Sequence, residues 1–344
     1  MVLGFVIVHL CEYALVGKDG TSRPLRTDEA PHAISSSVEM LRRRLDAFPD
    51  LCFPWADDLK ISHIIGRGNF GTVYLCHKLA NGMELVVKKI PLDVGASDRD
   101  LVNEVSNGAM LRHPNIVYLH GVFIEEHLGH TLCLVMDYAE GGTFESRIER
   151  QRQTGMHFDT TVVRTWITQL ASAVNYMHRH DVLHRDLSAR NIFCTERNDL
   201  LVGDFGLSKR LDPNALSQRS GQFAKTQCGT LVYMSPEIIN GNRYGPPADV
   251  WAVGALLFEM ISLHQPFTLG TCNMLDQMQT IADATPTPAA IAALDAADHP
   301  HSLRALVSST LLLHPDPAER MTLRELLDVL HSLDHTQDQS TEVK

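Results

Sequence analysis

His184-Arg-Asp-Leu-Ser-Ala-Arg-Asn191, with Asp204-Phe-Gly206 eighteen residues beyond its aspartate, is the stretch that decides how this chain folds. A lone Asp is ordinarily a turn or cap residue. Here the two strings are preceded by Gly66-Arg-Gly-Asn-Phe-Gly71-Thr-Val73 and Lys88, and followed by Ser235-Pro-Glu237. Five signals in one fixed order make coincidence a poor account of them.

The order suits phosphoryl transfer, which asks a protein to position reactants and to put positive charge where negative charge accumulates. Gly66, Gly68 and Gly71 let a strand-turn-strand lie over phosphates with backbone N–H groups facing them, and Phe70 caps that loop. The same glycine spacing opens dinucleotide-binding units, but those require a helix directly after the loop. Thr72-Val-Tyr-Leu-Cys76 reads instead as a strand. In Leu85-Val-Val-Lys88-Lys-Ile90, alternation turns Val86 and Lys88 to one face and Val87 and Lys89 to the other. Lys88 is assigned to the α- and β-phosphates of ATP, with Glu104 as its ion-pair partner, and Lys89 to solvent. Asp186 accepts or orients the proton of an incoming hydroxyl, and Asn191 with Asp204 offers hard oxygen ligands to Mg2+. Arg320 is the expected buried partner of Glu237.

These strings resemble the eukaryotic protein kinase family over about residues 57 to 333. Phe223-Ala-Lys-Thr226-Gln-Cys-Gly-Thr230-Leu-Val-Tyr-Met-Ser-Pro-Glu237 and Leu134-Val-Met-Asp-Tyr-Ala-Glu-Gly-Gly142 are most similar to the NIMA-related serine/threonine kinases. The resemblance implies an α+β fold of two lobes, a small antiparallel sheet with one key helix and a larger helical lobe. It divides the chain into an extension (1–56), the small lobe (57–136), the large lobe (137–333) and a polar tail (334–344). Nucleotide contacts fall to Ile65, Gly66, Arg67, Gly68, Asn69, Phe70, Gly71, Thr72 and Val73 in the loop, and to Val86 and Lys88 on the next strand. Met136 is the implied gatekeeper, Asp137 to Ala139 the hinge, and Phe193 the floor of the adenine slot. Protein substrates are implied, and so is activation at Thr226, by an upstream kinase or by autophosphorylation, with Arg185 meeting the phosphate. Ser217, Ser220 and Thr230 are rival acceptors.

Three positions depart from the family. Ser188 stands where serine/threonine kinases carry Lys, and Arg190 compensates in an order, Leu-Ser-Ala-Arg-Asn, similar to the tyrosine kinases. Dual or tyrosine specificity is therefore an alternative, weighed against Cys228-Gly-Thr230, which resembles a serine/threonine docking loop. Val86 replaces the usual Ala over the adenine ring. Gly108, one turn after Glu104, is expected to leave a hole beneath its helix. A scaffold that binds nucleotide without turnover is the further alternative.

With 44% hydrophobic residues over 344, the chain can bury a large core, and its formal charge of −11 argues against a nucleic-acid groove or an anionic membrane as main partner. Seven cysteines without a C-x-x-C pair fit free thiols in a reducing compartment, cytoplasm or nucleus. Of the eighteen histidines, none has zinc spacing; His184 belongs to the catalytic loop and the others are read as surface groups. The apolar run Met1 to Leu10 is too short to span a bilayer. Gly17 to Pro31 reads as a linker, and Ser35 to Phe48 as an amphipathic helix carrying Arg42 to Arg44 on its polar face. Further helices are expected over Asp98 to Leu111, Thr161 to His178, Val250 to Leu263 and Thr322 to Leu333. Asp249 is expected to cap its helix and anchor the catalytic loop. Residues 281–300 carry no readable role, and 334–344 read as a tail without fixed structure.

Overall fold

The computed structural model describes residues 14–16, 22–24, 58–68, 71–92, 98–125, 130–205, 208–210, 231–242, 245–267, 274–307 and 310–341. The expected helix over 35–48, the loop tip Asn69-Phe70, and the segment holding Ser217, Ser220, Thr226, Cys228 and Thr230 lie outside these residues. The chain divides into two compact units, residues 1–102 with 120–136, and residues 103–119 with 137–344.

In the first unit, β1 (Ala14–Val16) pairs antiparallel with β2 (Ser22–Pro24), so the stretch expected as a linker contains a hairpin strand. The main sheet consists of β3 (Leu59–Gly68), β4 (Gly71–Lys78), β5 (Glu84–Pro91), β6 (Leu119–Glu125) and β7 (Thr131–Asp137), in the order β3-β4-β5-β7-β6. Its strands are rich in β-branched residues that pack well on a pleated surface. Cys76, Leu85, Val87, Cys133 and Val135 form its core. Irregular register between Ile61 and Gly66 bends β3 just before the glycine loop. Helix α1 (Asp98–Met110) connects β5 to β6.

The second unit takes up the chain at β8 (Gly142–Thr143), α2 (Phe144–Thr154) and α3 (Thr160–Arg179). Asp159 caps α3 by accepting from the Thr161 amide, and Val163, Trp166, Ile167, Leu170, Val174 and Met177 recur at helical spacing on its buried side. Short strands follow: β9 (Val182–Leu183), β10 (Ile192–Cys194), β11 (Leu200–Val202) and β12 (Lys209–Arg210). After α4 (Pro236–Ile239), α5 (Pro246–Ser262) runs through the centre of the core with nearly every residue buried. Gly254 is required there, because a Cβ would stand 2.8 Å from Leu312 Cβ. Residues 281–300 now have a role: Ile281, at the end of α6 (Met274–Ala282), and Ala290, in α7 (Pro288–Ala296), enter the same core. After α8 (His301–Ala305), α9 (Leu323–Thr341) continues into the expected tail, which contains no Gly or Pro to stop it.

Residues 103–119 join the second unit because the turn after α1 pairs with β11. Val117 N–H donates to the Val202 carbonyl and Val202 N–H to the Asn115 carbonyl, both at 2.9 Å. The expected hole at Gly108 is filled by Leu119, whose Cδ2 would lie 3.2 Å from an added Cβ.

Candidate active site

The first unit carries the loop glycines and Lys88. Gly68 and Gly71 pair across the β3-β4 turn, and Arg67 faces Thr72. Of the three loop glycines, Gly71 is the one that backbone crowding demands: its Cβ would sit 2.1 Å from the Lys89 carbonyl oxygen. Lys88 lies opposite Val73 and is buried, as is Val86. Lys89 departs from the solvated role expected of it. Its Nζ donates to both oxygens of Glu125 at 2.6 and 2.7 Å and stands 5.5 Å from the Tyr74 ring centre. Ile65 is exposed, and Met136 is half-buried at the end of β7.

In the second unit, Asp137 closes a reciprocal pair with Tyr118: its N–H donates to the Tyr118 carbonyl at 3.1 Å, and its Oδ2 accepts from the Tyr118 amide at 3.2 Å. Just after Ala139, Gly141 N–H donates to the Cys194 carbonyl at 2.9 Å, so the segment lies against β10, which carries Phe193. Phe193 and Val117 flank Gly203, where a Cβ would be 2.8 Å from each. Glu104, on α1, is buried at 7% exposure.

The catalytic loop is fixed from beneath by Asp249. Its Oδ2 accepts from the His184 amide at 3.0 Å and from His178 Nε2 at 2.8 Å, and its Oδ1 accepts from the Arg185 amide at 2.9 Å. The carboxylate therefore anchors the loop and does not cap α5, whose N-cap is Gly245. Burial alone would raise the Asp249 carboxyl, but the hydrogen bond and charge of His178, with His184 and Arg185, hold it below its ordinary value. His184 uses both ring nitrogens. Nδ1 accepts from the Asp186 amide at 3.3 Å and Nε2 donates to the Gly203 carbonyl at 3.0 Å, which fixes the tautomer and joins this loop to the residue preceding Asp204.

Asp186 and Asn191 are brought together by the turn between them. Asn191 Nδ2 donates to the Asp186 carbonyl at 2.7 Å and to its Oδ2 at 2.9 Å, which leaves the amide oxygen as the Asn191 atom suited to a cation. Burial pushes the Asp186 carboxyl above its ordinary range; His184 and Asn191 pull it down, and the neighbouring Asp204 charge pushes it up. Asp204 itself is exposed and lies at φ 58°, a left-handed conformation in which Asp is enriched among non-glycine residues. An amide oxygen beside one or two carboxylates fits a hard divalent cation that takes its remaining ligands from phosphates and water. Among the described residues there is no cluster of three or more His, Cys, Asp or Glu that could hold a metal on its own. Ser188 is buried, and Arg190 Nε donates to Glu145 Oε1 at 2.8 Å.

The sequence reading missed three elements here. His178 was placed on the surface, yet it is the third donor to Asp249. Tyr233, just before the Ser-Pro-Glu string, donates its hydroxyl to the buried Glu259 at 2.6 Å. Asn107 is fully buried and donates to Ser208 Oγ at 2.9 Å. For Asn107 a signal existed, a polar residue on the apolar side of an amphipathic helix. Beside Asp186, a cleft is lined by Leu187, Tyr233, Met234, Ile238 and Ala252.

Residues 59–331 match the protein kinase domain family. The chain is 36% identical over 222 residues to the serine/threonine-protein kinase Nek2 of Homo sapiens, covering 62% of this chain and 48% of that kinase. It is 32% identical over 268 residues to the serine/threonine-protein kinase Nek9 of Mus musculus, covering 77% of this chain and 25% of that protein. Against Aurora/IPL1-related protein kinase 2 of Caenorhabditis briggsae, identity is 30% over 214 residues, 61% of this chain and 66% of the relative. The chain thus spans about half the length of Nek2 and a quarter of Nek9.

Proposed function

The chain belongs to the protein kinase family, and from that footing we propose that it transfers the γ-phosphoryl of ATP, with Mg2+, to serine or threonine hydroxyls of protein substrates. The observation that carries the reading is Asp186: a half-buried carboxylate whose pKa desolvation raises, oriented by Asn191 and His184, next to Asp204. A base of that kind is strong enough to accept a hydroxyl proton late in transfer, and its position lets it orient the acceptor beforehand. Mg2+, held by Asn191 and Asp204, would neutralise charge developing between phosphate oxygens.

Lys88 and Glu104 serve phosphate positioning, and Arg190 the transferred charge. Backbone amides of residues 66–71 cover the phosphates, with Ile65, Thr72 and Val73 flanking them. Val86, Met136, Asp137, Ala139 and Phe193 serve the adenine. Leu187, Tyr233 and Met234 share a small cleft with Asp186 and Arg185. Thr226, phosphorylated by an upstream kinase or by this chain itself, is the activating position, with Arg185 as its partner. The free, buried thiols Cys76, Cys133 and Cys194 support a reducing compartment, cytoplasm or nucleus.

Asp186→Asn tests the base directly. The substitution keeps an acceptor oxygen for Asn191 and removes the proton acceptor, so turnover of a peptide should fall by about 10²- to 10⁴-fold with nucleotide affinity unchanged. Unaltered turnover in the variant would remove Asp186 from the role.

A further inference from the structure

Asn107 lies on the buried side of α1 at 0% exposure, a place where an apolar residue would cost nothing in desolvation. Its Nδ2 donates to Ser208 Oγ at 2.9 Å, and that hydroxyl donates in turn to the Phe205 carbonyl at 2.7 Å. The Ser208 amide donates to the same carbonyl at 2.9 Å. The Phe205 carbonyl is thus held twice by one residue, and that residue is held by the helix. With the hydroxyl proton directed to the Phe205 carbonyl, Ser208 Oγ accepts from the Asn107 amide nitrogen. Asn107 Oδ1 is left buried with no hydrogen-bond partner among the described residues. A stranded buried acceptor costs about as much as the neighbouring hydrogen bond gains, so net stability is a weak reason for an amide at this position.

What the amide does touch is the segment directly after Asp204. The Phe205 ring packs 5.7 Å from the His184 ring, and His184 Nε2 binds the Gly203 carbonyl. Asp204 therefore sits between a residue tied to the catalytic loop and one tied to α1, in a left-handed conformation at φ 58°. We propose that Asn107 is a positioning residue for the metal-holding carboxylate: through Ser208 and the Phe205 carbonyl it transmits the placement of the C-terminal half of α1 to Asp204. The role of Asp204 rests on the kinase reading above; the coupling itself rests on the hydrogen bonds.

The test compares wild type, Asn107→Leu, Ser208→Ala and the double variant in two measurements. Hydrogen–deuterium exchange of the Ser208 amide, made without metal or nucleotide, should speed up roughly fivefold in each variant. The Mg2+ concentration that half-saturates peptide phosphorylation should rise by a similar factor of roughly five, while the KM for peptide stays put. The double variant should shift no further than either single one, because both remove the same link. Exchange and metal requirement equal to wild type in folded variants would overturn the proposal, as would a lowered melting temperature as the sole change. Ser208→Ala removes a single oxygen and keeps the comparison open should Asn107→Leu not fold. If wild type transfers no phosphate, the kinase reading fails, and the exchange measurement still decides the coupling: faster exchange sustains it and unchanged exchange ends it.

Discussion

At Arg320 two guanidinium nitrogens meet the two oxygens of Glu237 at 2.8 and 3.0 Å, while the Pro247 and His314 carbonyls accept from the same group. The Arg320 side chain is 0% exposed and Glu237 5%, so removing either partner leaves an uncompensated buried charge. Arg320→Ala should therefore cost about 3–5 kcal/mol, measured by urea denaturation. Gly203 has a different constraint, space: alanine there would press on Phe193 and Val117. Gly203→Ala should raise the KM for nucleotide more than the KM for peptide, read by steady-state kinetics. The closeness of Asp186 and Asn191, joined by hydrogen bonds at 2.7 and 2.9 Å, was legible in the sequence because they lie five residues apart on one short turn. So was the Glu237–Arg320 pair, since a buried carboxylate calls for a cation. Lys89 and His178 were not, because their partners lie 36 and 71 residues away and nothing local marks either as buried.

Among the elements, α5 carries a buried carboxylate, Glu259, at 4% exposure. Burial pushes the Glu259 carboxyl from its ordinary 4.5 up to about 7, against the Tyr233 hydrogen bond and the Arg152 charge, with Glu145 adding to the rise. The folded value lies above the unfolded one, so between these two pH values the folded state holds the extra proton. Stability then falls as pH rises through that window, by on the order of 3 kcal/mol from this group. Glu259→Gln should flatten the pH dependence of melting between about 4.5 and 7; an unchanged slope would assign it to other groups. On α1, leucine at position 108 meets the side chain of Leu119, not a void. Gly108→Leu should thus destabilise by about 1–3 kcal/mol through overpacking, measured by thermal denaturation. Periodicity located α1, α3 and α5 to within a few residues because each has a continuous apolar side. It could not show which neighbour fills the space over Gly108, since Leu119 arrives from the strand after the turn.

At the scale of the whole molecule, the order of motifs carried the fold: a strand after the glycine loop excluded the dinucleotide reading, and the observed β4 agrees. Linear reading had no means to assign residues 103–119 to the second unit, because the pairing with β11 that holds them there joins distant segments. No helix among the described residues is long and apolar enough to cross a membrane. Under the proposed reading, specificity for the acceptor is the property on which Ser188, Arg190 and the Tyr233 segment bear together. The most direct measurement incubates the purified chain with Mg2+ and γ-labelled ATP on mixed Ser, Thr and Tyr peptides, beside Asp204→Ala, and identifies the labelled amino acid. The account predicts label on serine or threonine that disappears in the variant; label confined to tyrosine, or none from wild type even with Thr226 phosphorylated, would contradict it.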